Sequence, residues 1–150
     1  DYRAIVLGVP KSDHGRCEAP IGRHPTDRKR MSIHSRQGRE ALTLWRVRTR
    51  WGHFAELDLE IKTGRTHQIR VHCAAMGHPV VGDLIYGPGI AGRHKSGRWP
   101  GHLPAHQLVQ RQLLHAYQLG CQHPVSGEAL RFTAPIPDDY MTLRRYLESA

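Results

Sequence analysis

The chain has 150 residues, 39% of them hydrophobic, with 22 Lys and Arg against 13 Asp and Glu, a net charge of +9 and a pI near 10.1. That length fits one domain burying about two-thirds of its unfolded surface. The charge calls for a polyanionic partner. RNA or DNA suits it better than a membrane, because no amphipathic basic helix, signal peptide or apolar run of membrane-spanning length is present.

In chain order, Tyr2–Val9 alternates weakly and is rich in β-formers, and Gly8-Val9-Pro10 ends it as a strand. Lys11–Asp27 carries turn residues around a short strand predicted at Cys17–Ile21. Asp27-Arg28-Lys29-Arg30 is a basic cluster ahead of Met31-Ser32-Ile33, and it suits either a solvated turn or contact with RNA phosphates.

Ala41–Trp51 and Phe54–Lys62 form the clearest hairpin. With Trp51-Gly52-His53 as its loop, Val47 faces Leu57, Trp45 faces Leu59 and Thr43 faces Ile61. On the other face Arg48 opposes Glu56 and Arg46 opposes Asp58. The arginines at 46, 48 and 50 are therefore structural rather than an RNA-binding stripe.

Lys62–Gly89 organises the rest. A strand ends at Thr63-Gly64 and a helix follows from near Thr66, with Ile69, Cys73 and Met76 recurring at i, i+4 and i+7. Gly77 suits the C′ position and Pro79 forbids continuation. Arg65 thus stands at the junction of strand end, turn and helix. His67 and His72 lie five residues apart, about 140° around a helix, which excludes the i, i+4 pair of a zinc helix.

Gly87–Gln107 has no periodicity and reads as a long basic loop facing RNA through Arg93, Lys95 and Arg98. Leu113–Cys121 and Glu128–Ala134 form a second hairpin around His123–Gly127. Asp138-Asp139 open a final helix on which Tyr140, Leu143 and Leu147 share a face. The expected fold is a single α+β domain, a mostly antiparallel mixed sheet with one central and one C-terminal helix.

Cys17, Cys73 and Cys121 are odd in number and form no C-x-x-C, as reduced core thiols of a cytoplasmic protein would be, and the protein is separately expected to be a monomer. The start at Asp1, directly on a strand, suggests a fragment or a processed chain.

The string T-G-R-T-H-Q-I-R-V-H, followed by G-H-P-V-V-G-D and Y-G, closely resembles the RluA-type pseudouridine synthase family. Y-R-A-I-V-L-G at the start, R-Q-L-L-H-A-Y-Q-L and H-P-V-S-G-E resemble the same family, so the likeness runs over nearly the whole chain. It implies isomerisation of uridine to pseudouridine in ribosomal or transfer RNA, with no metal and no organic cofactor. An aspartate attacks an extruded nucleotide, a cation keeps that carboxylate ionised and an aromatic ring supports the base.

By resemblance Arg65 is the cation and Tyr2 the aromatic residue. His67, Gln68 and Arg70 hold the helix in place, His115 is structural and Asp83 marks a turn. The family's nucleophile lies in an H-R-L-D-x-x-T-S-G segment that this sequence does not contain. The chain is accordingly expected to be the C-terminal part of the catalytic domain, inactive alone, with Arg28, Lys29, Arg30, Arg93, Lys95 and Arg98 contacting RNA. A non-catalytic RNA-binding module on the same scaffold is the alternative. DNA binding has only the charge in its favour, since no helix-turn-helix or finger is present.

Overall fold

The computed structural model describes residues 1–27, 29–87 and 108–149. In chain order these form β1 (Tyr2–Leu7), β2 (His14–Glu18), β3 (Gly22–Arg23), β4 (Met31–Ser32), β5 (Leu42–Trp51), β6 (Phe54–Ile61), α1 (Gln68–Ala75), β7 (Leu114–Ala116), β8 (Gln118–Gln122), β9 (Ala129–Thr133) and α2 (Asp138–Ser149). A five-stranded sheet runs β2-β5-β6-β1-β7, and the pairs β3-β4 and β8-β9 stand beside it. Every one of these pairings is antiparallel, which gives the expected α+β architecture.

The sheet is covered on both faces. Ala4 and Val6 of β1, with Ala55, Leu57 and Leu59 of β6, pack against Ile69 and Cys73 of α1. On the other face Ile5 and Phe54 pack against Tyr140, Leu143 and Leu147 of α2. Double-sided burial explains why β1 alternates only weakly, since both sets of its side chains must be apolar. Each fully buried Val, Leu or Ile contributes about 1.5–3 kcal/mol, so this layering supplies much of the folding free energy.

The β5–β6 hairpin shows how local rules meet tertiary ones. Val47↔Leu57, Trp45↔Leu59, Thr43↔Ile61 and Arg46↔Asp58 pair as expected, but the loop is Gly52-His53, because Trp51 pairs with Phe54. The tighter turn, with Gly52 at φ 50°, shifts the distal register by one residue. A bulge between Val47 and Thr49 absorbs it, so Thr49, not Arg48, opposes Glu56. Arg48 still reaches Glu56 at 3.6 Å and Asp58 at 3.4 Å, and Arg50 pairs with Asp13 at 2.7 Å. Arg46 faces Asp58 across the ladder but has no ion pair among the described residues, because Asp58 is held by Arg3 and Arg48.

Other expectations need correction. The short strand is His14–Glu18, not Cys17–Ile21, because its partners are Leu42–Arg46 of β5. Leu113–Cys121 divides: Leu114–Ala116 extend the main sheet beside β1, while Gln118–Gln122 pair with β9. The break comes where the N–H groups of Tyr117 and Gln118 both turn to the Asp1 carbonyl. The three cysteines are free, but Cys17 is half-buried and Cys121 exposed. Cys73 alone lies in the core, where burial pushes its thiol up to about 12. Residues 88–107, which hold most of the expected basic loop, lie outside the described residues. Among the described residues no helix is long and apolar enough to cross a membrane.

Candidate functional site

The junction between β6 and α1 is built on one buried amide. Gln68 is 3% exposed, and its Oε1 accepts from the Thr63 hydroxyl at 2.9 Å and the Arg65 N–H at 3.0 Å. Its Nε2 donates to the Leu42 carbonyl at 3.0 Å and the Thr43 hydroxyl at 3.1 Å. The Thr43 hydroxyl is then left to donate to His72 Nδ1 at 2.8 Å, and His72 Nε2 donates to the Ala19 carbonyl at 2.9 Å. These partners fix His72 as a neutral imidazole, and burial holds its pKa below the usual histidine value.

The helix begins at Gln68 rather than near Thr66. His67 adopts the left-handed conformation (φ 56°, ψ 21°), and the Gln68 N–H returns to the Arg65 carbonyl at 3.0 Å. That turn carries the backbone strain of a non-glycine residue at positive φ. It is held from outside: His67 Nδ1 lies 2.9 Å from the Tyr86 hydroxyl, which also accepts the Met31 N–H at 2.8 Å. Burial, then the Arg70 charge, keeps His67 below its usual pKa, against an opposing pull from Asp83. At its other end α1 closes as expected, with Gly77 at φ 80° and the His78 N–H on the Cys73 carbonyl at 2.9 Å.

The two arginines of the motif are in opposite situations. Arg70 grips Asp83 through two bonds of 2.7 and 2.8 Å and lies 5.0 Å over the Tyr86 ring. Burial works against the Asp83 carboxylate, but Arg70 and the N–H groups of Tyr86 and Ile85 prevail and hold it below the usual range. Among the described residues Arg65 uses only its Nε, donating to the Glu40 carbonyl at 3.0 Å. It has no ion pair among the described residues. Asp13, Asp58, Asp83 and Asp139 are already bound to other arginines.

Arg65 lies in a cleft of about 960 Å³ lined also by Arg23, His34, Arg36 and Arg39. Tyr2 is half-buried, in register between Leu59 and Ala116, and lines a different cavity of about 560 Å³. Leu119 and Phe132 form one wall of that cavity. They are cross-strand partners, 62% and 55% exposed, and make an apolar surface beside the tyrosine. The start of β1 and the end of β6 share one end of the sheet, so both residues lie there, but the two cavities have no lining residue in common.

Of the basic cluster, Lys29 is exposed, whereas the Arg30 guanidinium lies 5.7 Å over the Tyr86 ring. Arg28, Arg93, Lys95 and Arg98 lie outside the described residues. Sequence reading passed over Arg23, Arg36 and Arg39, which are scattered through a turn-rich segment. The available signal was a stretch from residue 21 to 39 with five arginines, one lysine and one acid. Among the described residues no three His, Cys, Asp or Glu side chains gather as metal ligands.

A family profile described as RNA pseudouridylate synthase matches residues 1–75. The chain is 44% identical over 149 residues to an uncharacterized RNA pseudouridine synthase of Synechocystis sp., covering 97% of this chain and 41% of the relative. It is 43% identical over 143 residues to the ribosomal large subunit pseudouridine synthase D of Vibrio cholerae, covering 95% and 43%. The corresponding protein of Haemophilus ducreyi is 38% identical over 149 residues, covering 99% and 45%. The chain thus spans less than half the length of these relatives. Among solved structures, human RNA pseudouridylate synthase domain containing 1 superposes with a TM-score of 0.69 at 28% identity, covering 99% of this chain and 65% of that one.

Proposed function

The chain belongs to the RNA pseudouridylate synthase family, and on that premise we propose that the protein containing it isomerises uridine to pseudouridine in RNA. Large-subunit ribosomal RNA is favoured over transfer RNA by the names of the Vibrio and Haemophilus relatives. The reaction breaks the bond between uracil N1 and the ribose and rejoins the base through C5. The base has to leave its stack first and rest in a pocket. A nucleophilic aspartate from outside residues 1–150 attacks the nucleotide, Arg65 holds that carboxylate ionised, and Tyr2 with the Leu119–Phe132 wall supports the base.

The observation that carries this reading is the contrast between Arg65 and Arg70. Five residues apart in one motif, Arg70 is saturated by Asp83, while among the described residues neither terminal nitrogen of Arg65 has a partner. A guanidinium held by its Nε alone presents the fork that a carboxylate accepts in bidentate fashion.

The test is tritium release from C5-labelled uridine in ribosomal RNA by the complete protein. Arg65→Ala should lower turnover by about 10²–10³-fold or more with RNA affinity nearly intact, as for loss of a group acting at the reacting centre. Arg65→Lys should also be poor, since an ammonium lacks the fork. Residues 1–150 alone should bind RNA and release no tritium. Loss of affinity parallel to loss of rate would make Arg65 a phosphate ligand instead. Release by the isolated chain would overturn the externally supplied nucleophile.

A further inference from the structure

The cleft around Arg65 has a composition that the proposed chemistry does not require. Among the described residues it is lined by Arg23, Arg36, Arg39 and Arg65 together with His34, and by no Asp or Glu. The chemistry proposed above uses one of those cations. Arg23, Arg36 and Arg39 are exposed, and their side chains have no hydrogen bond or ion pair among the described residues. Elsewhere five arginines are paired with aspartates: Arg3 and Arg48 with Asp58, Arg50 with Asp13, Arg70 with Asp83 and Arg111 with Asp139. Four guanidiniums with no ion pair among the described residues repel one another around one concavity, and the arrangement becomes favourable when a polyanion fills it.

The segment carrying them is also anchored. Ile21 is 2% exposed in a small core with Ala41 and Val71, and its N–H and carbonyl pair with Arg39 at 2.8 and 2.9 Å. The Met31 N–H is tied to the Tyr86 hydroxyl at 2.8 Å. A Cβ added to Gly22 would come within 2.4 Å of Ser35 Oγ, so the loop is folded closely against its own first strand. The arginines therefore stand on a fixed frame, which lowers the entropic cost of gripping a ligand.

We infer that Arg23, Arg36 and Arg39 form a phosphate clamp that holds the substrate RNA backbone next to the nucleotide that meets Arg65. This rests on the reading of Arg65 given above. It separates two roles within one cleft: Arg65 acts on rate, and the other three act on affinity.

The experiment measures binding of the complete protein to a fluorescein-labelled oligouridylate across a series of KCl concentrations. Tritium release over a range of ribosomal RNA concentrations is followed in parallel. Replacing Arg23, Arg36 and Arg39 together by Gln should weaken binding at least tenfold at low salt. The slope of log K against log salt should become shallower by about 2, from about 0.7 per lost contact on a single strand. The rise in KM for ribosomal RNA should exceed any fall in kcat, the split expected of groups that act on affinity. Should the triple variant unfold, Arg36→Glu alone, at a residue outside the strands and bridges that hold the segment, should weaken binding and flatten the slope by about 0.7.

An unchanged slope in a folded variant overturns the clamp while leaving the role of Arg65 standing. Unchanged oligouridylate binding with lost binding to anionic phospholipid vesicles would assign the cleft to a membrane surface and overturn it equally. Loss of turnover in Arg65→Ala is read separately, so failure of one proposal is distinguishable from failure of the other.

Discussion

Replacing Gln68 by Leu keeps the volume of the side chain and removes its four hydrogen bonds, to Thr63, Arg65, Leu42 and Thr43. The losses are unequal. The Leu42 carbonyl still receives the Lys62 N–H at 3.0 Å, and the Thr43 hydroxyl keeps His72. The Arg65 N–H and the Thr63 hydroxyl proton lose their acceptor. A stranded polar group costs about 1–3 kcal/mol, and Thr63 is only half-buried, so the expected total is about 2–4 kcal/mol. For a domain of this size that corresponds to a fall in Tm of about 5–12 °C. Urea unfolding monitored by circular dichroism measures it, with Thr66→Ala at an exposed position of the same turn as a control expected within about 0.5 kcal/mol of the parent. In the complete protein Gln68→Leu should also lower kcat more than it changes RNA affinity, because Arg65 loses its backbone anchor. A Gln68→Leu chain as stable as the parent would refute the claim that this amide holds the junction.

Asp83→Asn should cost about 3–5 kcal/mol in the same unfolding assay, because it leaves the Arg70 charge buried and unpaired. Gly82→Ala should prevent normal folding, since φ is +78° and a Cβ would lie 2.1 Å from the Arg111 carbonyl oxygen. Gly77→Ala, at φ +80° with nothing within 4 Å, should cost only the conformational strain of about 1–2 kcal/mol, and comparing the two melting temperatures checks both. His67 and His72 both titrate below the ordinary histidine value in the fold, so the unfolded chain binds protons first as pH falls. Stability should therefore drop as pH falls through about 6.5 and level off below the folded values, and His72→Asn should flatten that dependence in urea midpoints taken from pH 8 to 5.

Much of the scaffold is legible in the sequence because it is set by neighbours along the chain. Alternation in 43–47 and 57–61 fixes which residues of the hairpin face one another, and the paired positions Val47↔Leu57 and Trp45↔Leu59 follow directly. The spacing of Tyr140, Leu143 and Leu147 defines the buried face of α2, and all three are buried. Gly77 ends α1 because only glycine enters the left-handed region there without cost. The motif around Arg65 likewise marks the strand-to-helix junction as the centre of the chain.

What only the tertiary structure decided is which polar groups are already satisfied. Gln68 and His72 lie on the same short helix, but their partners Leu42, Thr43 and Ala19 come from 25 to 53 positions away. Arg70 and Arg65 are indistinguishable as side chains, and they differ because Asp83 folds back onto one of them and no carboxylate of the described residues reaches the other. Arg23, Arg36 and Arg39 show along the chain only as part of a basic stretch, and that they line one cleft is decided by the fold. Hydrophobic periodicity is a local property of the backbone, whereas the availability of a charge depends on where distant opposite charges come to rest. That is settled only once the sheet has closed between its two helices.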